Sequence, residues 1–385
     1  MVWKKLIYAF ITLLDLAAFI ITDHGVALFL LICLVVLPLV TYVALFFLSR
    51  HVEFSYAVGD SCFRGGTIAI TMTVRVKMRL FLGSADVYAD IENMTFGKTE
   101  SKIFTFKDFR DHSYTYEYKS QNAGRLRVVF PKIKLFGLFG MCSLTIKCDE
   151  GTEALVSPKL YEDVDLIETG MSRAAAVFGD VVDFTKKGND RSEIFDVRDY
   201  VPGDNLNSVH WKLSGKFDSL KSKEYGSSSH FKTLILVDPS RNKFEKQATD
   251  GEMNLVLDIA VSLSSALKDN GMPHCVGWFS DGKFCSSEVW DNESFLQMVY
   301  NQMSMRIYDG NAQTVFYFSR GQEFTKFTKI IYVSVAARAD ELRILRGLDV
   351  TAISLGGSKS VFDEDGIRLI ELPQEIIEST LEENE

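Results

Sequence analysis

Two long apolar runs open the chain and set its beginning apart from the rest. Leu6 to Thr22 and Val26 to Leu48 are separated only by Asp23-His24-Gly25. As a helix the first run is about 25 Å long, and counting it from Val2 brings it to the thickness of a hydrocarbon core, about 30 Å. A signal peptide is disfavoured because no small-x-small cleavage site follows. The pattern predicts a transmembrane helix hairpin over residues 1–50.

Basic residues at the ends of these runs predict the orientation of the hairpin. Lys4 and Lys5 precede the first run, Arg50 follows the second, and the turn between them contains no Lys or Arg. Positive residues favour the cytoplasmic side of a membrane. We therefore expect a two-pass protein of the cytoplasmic membrane with both termini and the soluble part in the cytoplasm. An outward-facing envelope protein is the alternative.

Asp15 lies near the middle of the first apolar run. An ionisable group is costly at that depth and indicates a function by default. No basic residue lies at its level on the second run, near Cys33. We therefore expect Asp15 to be protonated or paired with another subunit, or to face water in a locally thinned bilayer.

The pattern changes to strand-like alternation after residue 50. Thr67 to Met78, Asp86 to Ile91 and Arg125 to Phe130 alternate apolar with polar or small residues. Short alternating strands at this spacing predict an all-β, sandwich-like domain over residues 51–158.

Longer apolar runs appear again in the last third of the chain, where strand-like and helix-like patterns alternate. Thr233 to Val237 reads as a buried strand, and Asn254 to Lys268 as an amphipathic helix. Strand and helix patterns continue to alternate after these, which is typical of a mainly parallel sheet covered on both faces. We expect an α/β domain over residues 230–375 and an acidic tail over 376–385.

Charge and cysteine content narrow the function classes. The formal net charge of −9 argues against general nucleic-acid binding, which needs clustered Lys and Arg. The 6 cysteines have no metal-ligand spacing and fit a reducing compartment. Apolar residues make up 47% of the chain and are concentrated in its first fifty positions, which supports a membrane protein.

The segment between these domains, residues 159–229, carries an unusual cluster of polar and turn-forming residues. Pro202-Gly203 presets a tight turn, and Asp204 can cap a short helix after it. The cluster comprises Glu193, Arg198, Tyr200, Pro202, Gly203, Asp204, His210 and Trp211.

The order of these parts resembles the bacterial "domain of unknown function 58" family. The resemblance rests on the hairpin, the β domain, Leu135-Phe-Gly-Leu-Phe139, the block from Tyr200-Val-Pro-Gly-Asp204 to His210-Trp211, and the α/β domain. It implies a von Willebrand factor A-like domain, and as partners a MoxR-type AAA+ ATPase and a transglutaminase-like membrane protein. Asn207 departs from the Arg common in the family, as does Ser214-Gly-Lys216 from the usual Ser-Ala-Arg.

The polar cluster has two interpretations. In the first, its side chains form hydrogen bonds with the backbone of an irregular connector or bind a partner protein. Such a connector has many backbone groups that are otherwise unpaired. In the second it is a hydrolase site in which Glu193, Asp204 and His210 act as acid and base groups and Ser208 or Ser214 as nucleophile. The spacing specifies no triad, so the first interpretation is favoured and no catalytic residue is assigned.

A second constellation follows the first buried strand of the α/β domain. The resemblance implies an Asp-x-Ser-x-Ser cation site there, completed by a Thr and an Asp from later loops. Here Asp238, Ser240 and Asn242 supply one carboxylate and two neutral oxygens, and Asp281 is a further candidate. Mg²⁺ takes such oxygen ligands in near-octahedral geometry. The alternative is that Asp238 and Ser240 satisfy backbone donors of a turn or helix cap.

Overall fold

The computed structural model describes two compact units, Met1–Ser157 and Pro158–Glu385. Within them the described residues are 2–22, 25–76, 82–107, 113–137, 140, 142–161, 194–199, 214, 221–225, 232–243, 246–310, 313–321, 326–356 and 367–372.

Two helices begin the first unit. Helix α1 spans Val2–Thr22 and α2 spans Gly25–Ser49. The Tyr8 hydroxyl donates to the Leu34 carbonyl, which ties the two helices together. Among the described residues, α2 alone is long and apolar enough to cross a membrane, and the strongly apolar part of α1 is shorter. The structure thus supports one membrane-crossing helix, which is less than the two-pass hairpin predicted from the sequence.

The described residues of the first unit after α2 contain eight strands, which form two sheets. One sheet has the order β1-β3-β6 and the other β2-β8-β7-β4-β5. The strands are β1 Val52–Val58, β2 Ser61–Phe63, β3 Thr67–Val76, β4 Leu82–Asn93, β5 Lys98–Phe106, β6 Ser113–Lys119, β7 Gly124–Gly137 and β8 Ser143–Ser157.

One hydrophobic core joins these two sheets. Strand β3 alternates buried and more exposed positions, because successive side chains of a strand point to opposite faces. Ile70 and Met72 from β3 meet Val87 of β4 and Phe130 of β7 in the same core. The strand-rich unit predicted from the alternation is confirmed, with one core shared between two sheets.

The second unit contains a six-stranded sheet with helices between its strands. Its elements are β9 Ile194–Asp199, β10 Lys221–Tyr225, β11 Thr233–Val237, β12 Asn242–Lys243, β13 Lys246–Gln247, α3 Asp250–Asp269, β14 His274–Ser280, β15 Lys283–Val289, α4 Asn292–Gln302, α5 Thr314–Arg320, β16 Lys329–Ser334, α6 Ala339–Leu342, a 3₁₀ turn Arg343–Leu345, β17 Asp349–Ser354 and β18 Ile367–Glu371.

The order of the main sheet is β15-β14-β11-β16-β17-β18. All neighbouring pairs are parallel except β14 and β15, which form a hairpin. Strands β11, β14 and β16 are buried along their whole length, as expected for strands covered on both faces. The predicted α/β unit with a mainly parallel sheet is confirmed at this level.

The segment predicted as a connector contributes one pair of strands to the description. Strands β9 and β10 pair antiparallel, with Arg198 opposite Ser222 and Asp199 opposite Lys221. Arg198 of the polar cluster therefore lies on a strand, where the sequence alone suggested an irregular connector. The short strand runs from Ile194 and ends at Asp199, directly before Tyr200.

Candidate functional site

The direction of chain winding reverses between β11 and β16. From β11 the chain adds β14 and β15 on one side of the sheet, and β16, β17 and β18 on the other. In sheets of this kind, ligands bind at the carboxyl ends of the strands at such a switch point. Asp238 is the first residue after β11, and its backbone N–H donates to the Val333 carbonyl of β16 at 3.0 Å. Asp238 therefore lies at the switch point.

The Asp238 carboxylate is held by three hydrogen bonds. Its Oδ1 accepts from the Ser240 backbone N–H at 3.2 Å and from the Thr314 hydroxyl at 3.1 Å. Its Oδ2 accepts from the Tyr332 hydroxyl at 2.9 Å. All four residues are buried, and Thr314 and Tyr332 are fully inaccessible. We call this set the Asp238 cluster.

Burial governs the protonation of the Asp238 cluster. It raises the pKa of the Asp238 carboxyl, while the hydrogen bonds from Tyr332, Thr314 and Ser240 and the charge of Arg338 act in the lowering direction. Burial and the neighbouring carboxyl also raise the pKa of the Tyr332 hydroxyl well above its usual range. Tyr332 therefore stays protonated and acts only as a hydrogen-bond donor to Asp238.

The backbone at Tyr308 and Gly310 contacts the loop that follows Asp238. Ser240 forms a bridge with Tyr308, and its hydroxyl donates to the Gly310 carbonyl at 2.6 Å. The same hydroxyl accepts from the Asn242 backbone N–H at 3.2 Å. Arg241 pairs with Asp250 at 2.7 Å, which anchors the loop to the start of α3. Hydrogen bonds to Tyr308 and Gly310 therefore hold the loop on one side, and the ion pair with Asp250 holds it to α3 on the other.

These contacts bear directly on the predicted cation site. Asp238 is the one carboxylate of the Asp238 cluster, and both of its oxygens already accept hydrogen bonds. A Mg²⁺ ion there would compete with the Tyr332 and Thr314 hydroxyls for the Asp238 oxygens, and it would need an ionised carboxyl, whose pKa burial raises. No group of three or more His, Cys, Asp or Glu residues within the described ranges is arranged to hold a metal ion. The hydrogen bonds that Asp238 and Ser240 accept from backbone N–H groups favour the turn interpretation over a cation, and the Mg²⁺ site stays a prediction.

Asp281 has a local structural role. It occupies the turn of the β14–β15 hairpin with a left-handed φ of 50°, followed by Gly282 at 78°. An Asp-Gly pair with positive φ at both positions is typical of tight hairpin turns. The Asp281 carboxylate accepts from the Ser280 hydroxyl at 3.4 Å. The turn therefore accounts for Asp281 without a metal.

Aromatic side chains lie beside the Asp238 cluster at the same edge of the sheet. Phe279, at the end of β14, stacks on Tyr317 at 4.8 Å and meets Tyr308 edge-on at 5.7 Å. Phe316 next to them is 41% exposed and carries Arg320 over its ring at 4.1 Å. We call these four aromatic residues the aromatic edge. An exposed aromatic group with a nearby Arg has the composition of a protein-binding surface.

Most residues of the polar cluster lie outside the described part of the structure. This applies to Glu193, Tyr200, Pro202, Gly203, Asp204, His210 and Trp211. Arg198 is placed on β9 by its backbone alone. Ser214 is described and buried. The docking and hydrolase interpretations of this cluster therefore both stay predictions.

Asp15 is described within α1 and is partly buried. One of its carboxylate oxygens is buried and has no hydrogen-bond partner among the described residues. The contact that Asp15 makes in a membrane stays a prediction.

Sequence reasoning expected a Thr from a later loop at this site but did not identify it as Thr314, and it missed Tyr332. Tyr332 lies within the run Ile330-Ile-Tyr-Val333, where every neighbour is aliphatic. A buried Tyr needs a hydrogen-bond partner for its hydroxyl, so its position in this run predicts a polar group nearby. Thr314 gave no such signal, because it reaches Asp238 only through the folding of a segment 76 residues away.

Comparisons with known proteins identify no family. No protein-family model and no curated protein matches the chain. The cohesin module from Clostridium perfringens ATCC13124 family 33 glycoside hydrolase is 8% identical over 27% of this chain and 96% of its own, with a TM-score of 0.20. A Paenibacillus sp. cycloisomaltooligosaccharide glucanotransferase complexed with cycloisomaltoheptaose is 11% identical over 82% of this chain and 52% of its own, with a TM-score of 0.17. Similarities at these scores support no conclusion about fold or function.

Proposed function

We propose that this chain is a membrane-tethered cytoplasmic interaction protein of the "domain of unknown function 58" type, whose α/β unit is von Willebrand factor A-like. The observation that carries the proposal is α2. It is 25 residues long, has a mean hydropathy of 2.9 in its most apolar window, and is 6% buried there. An apolar helix with that much exposed surface needs lipid or protein around it. In this proposal α1 completes a two-pass hairpin and both termini are cytoplasmic.

The proposed partner is a MoxR-type AAA+ ATPase, which the family resemblance suggests, and the proposed process is assembly or maturation of other proteins. A transglutaminase-like membrane protein is the second expected partner. The aromatic edge supports docking on the α/β unit, because Phe316 and Tyr317 keep 41% and 36% of their surface exposed. The Asp238 cluster supports a rigid surface there, since its hydrogen bonds fix the loops around the switch point.

The test measures binding of the full chain in lipid nanodiscs to a MoxR-type AAA+ ATPase, with and without nucleotide and Mg²⁺. Tyr317→Ala removes a ring of the aromatic edge that is 36% exposed, and the control Trp290→Ala removes a ring that is 56% exposed on another part of the unit. We expect the first to weaken binding and the second to leave it unchanged. Absence of binding under every condition would contradict the proposal.

A hydrolase is the second candidate. Its motivation is the set of acid and base groups Glu193, Asp204 and His210 in one short segment. Turnover by the full chain that is lost in His210→Ala, with folding retained, would favour the enzyme over the interaction protein.

The proposed orientation has its own test. Cys285 belongs to the α/β unit and is partly accessible. In intact cells we expect a membrane-impermeant maleimide to leave it unlabelled, and to label it after the membrane is permeabilised. Labelling before permeabilisation would place the soluble units outside the cytoplasm.

A further inference from the structure

A groove on the surface of the α/β unit lies between α4 and the end of β15, the outermost described strand on that side of the main sheet. Its volume is about 410 Å³, within the range of known ligand sites. Ser294 and Met298 are buried and form its floor. The exposed lining residues are Glu288, Trp290, Asp291, Glu293 and Gln297.

Trp290 is 56% exposed in this groove, yet its position is fixed. Its backbone N–H donates to the Ser294 hydroxyl at 3.0 Å, and its side chain donates to the Asp291 carboxylate. Asp291 also accepts from the Ser294 N–H at 2.8 Å and so caps α4. The start of α4 therefore holds the exposed ring in place. A ring that is held before binding loses little entropy when a partner covers it.

The charge of the groove is negative. Glu288, Asp291 and Glu293 supply three carboxylates, and the lining includes no Lys or Arg. Hydrogen bonds from Ser294 lower the pKa of Asp291, which keeps that carboxyl ionised. Lys268 contacts Asn292 beside the groove at 2.8 Å, but it pairs with Asp269 at 3.1 Å, so its charge is balanced outside the groove.

The neutral part of the lining suits an aliphatic chain. Met298 is fully buried at the floor. Along the wall, the Gln297 amide donates to Asn301 at 3.2 Å, and the Asn301 amide donates to the Ser287 hydroxyl at 3.1 Å. A Lys or Arg side chain has an aliphatic stem that packs on such a floor and a cation that carboxylates and the face of a Trp ring attract.

The groove and the aromatic edge lie at opposite ends of the strands. Val289, the last residue of β15, pairs with His274, the first residue of β14. Phe279 of the aromatic edge lies close to the other end of β14. The two are therefore separate surfaces, and a ligand of the groove requires neither the ATPase nor the membrane tether of the proposed function.

We propose that this groove docks a basic segment of a partner protein, with one Lys or Arg side chain lying on Trp290 beside Glu288 and Glu293. Charge complementarity identifies the occupant as basic. The exposure of the lining identifies it as part of a larger partner, because sites for small molecules bury most of the ligand surface.

The experiment measures binding of a fluorescein-labelled peptide of alternating Lys and Thr to the full chain in nanodiscs of phosphatidylcholine, by fluorescence anisotropy. A peptide with Glu in place of Lys is the ligand control. Because the chain has a formal net charge of −9, a matched pair of variants separates docking from general attraction. Glu288→Gln with Glu293→Gln removes two charges from the groove. Glu117→Gln with Glu150→Gln removes two exposed charges from the β unit.

We expect the groove pair to weaken binding of the Lys peptide about tenfold and the control pair to weaken it less than about twofold. Trp290→Ala should weaken it about fivefold and Trp290→Phe less, because Trp attracts cations most strongly among the aromatic residues. Equal effects of the two charge pairs, unchanged affinity in Trp290→Ala, or equally tight binding of the Glu peptide would each overturn the proposal. Spermidine that binds in the groove as tightly as the peptide would assign the site to a small polyamine and overturn the protein partner.

Discussion

His274 makes the α/β unit sensitive to acid. It is fully buried at the start of β14, where its Nδ1 lies 2.9 Å from the Met272 carbonyl and its Nε2 lies 2.7 Å from the Ser264 hydroxyl. In the neutral ring, Nδ1–H donates to Met272 and Nε2 accepts from Ser264. Burial lowers the pKa of His274 from 6.5 to about 4, opposed by the hydrogen bond to Met272. The folded unit therefore disfavours the charged imidazolium.

The sign and size of the effect follow from this pKa difference. Above pH 6.5 the ring is neutral in the folded and the unfolded chain, and its contribution to stability is complete. As the pH falls from 6.5 towards 4, the unfolded chain takes up a proton that the folded chain does not accept, so the free energy of unfolding decreases. A pKa difference of about 2.5 corresponds to a loss of about 3 kcal/mol across that window.

Hydrogen exchange of the β14 backbone amides measures this loss locally, without requiring that the whole chain unfold at once. We expect the protection of β14, corrected for the intrinsic effect of pH, to fall about 100-fold between about pH 7 and pH 4 in the native protein. The variant His274→Gln lacks the titrating group and should show a much smaller change. Asp238 works in the opposite direction, because a raised pKa favours the folded state as the pH falls. Its contribution is common to both proteins and cancels in their difference. Equal pH dependence in the two proteins would refute the reasoning.

Three further substitutions and one addition test other contacts, each by thermal or denaturant unfolding. Tyr332→Phe should destabilise the α/β unit by about 1–3 kcal/mol, because it leaves the buried Asp238 Oδ2 without its donor. Adding Mg²⁺ or a chelator should leave the melting temperature unchanged, and a clear rise with Mg²⁺ would restore the cation site. Gln302→Leu should stabilise by about 1 kcal/mol, since both amide atoms of the buried Gln302 have no hydrogen bond among the described residues. Gly124→Ala should cost more than about 2 kcal/mol, because Gly124 has a φ of 135° and an added Cβ would lie 2.5 Å from the Thr95 hydroxyl oxygen.

The strands and helices of this protein could be predicted from the spacing of their apolar residues. The alternation of Thr67 to Met78 predicted a strand, described as β3 over Thr67–Val76, and the uninterrupted run Thr233 to Val237 predicted a strand buried on both faces. A strand buried on one face alternates apolar and polar residues, whereas a strand buried on both faces is apolar throughout, so both kinds can be predicted from the sequence. The helix over Asp250–Asp269 also carries its own start signal, a Thr249–Glu252 capping box.

The hydrogen bonds of the Asp238 cluster could not be predicted from the spacing of apolar residues. The sequence identified Asp238 and Ser240 because they follow a buried strand, and it left two interpretations open, a cation site or backbone donors of a turn. In the structure Asp238 accepts from the Ser240 N–H and also from Thr314 and Tyr332, which lie 76 and 94 residues further along the chain. Local spacing cannot show which distant hydroxyl will reach a carboxylate. It therefore could not distinguish a carboxylate that awaits a ligand from one that is already satisfied.

Helix α2 shows the same limit at the membrane. Thr41, Leu45 and Leu48 follow each other at intervals of four and three residues, which places them on one helical face. That face is buried against the β sheets, but it is no more apolar than the faces beside it. Lipid tails and a protein core both select apolar side chains, so hydropathy alone reads the whole helix as a membrane span. Contacts with distant strands, such as that of Cys142 with Pro38, separate the two environments.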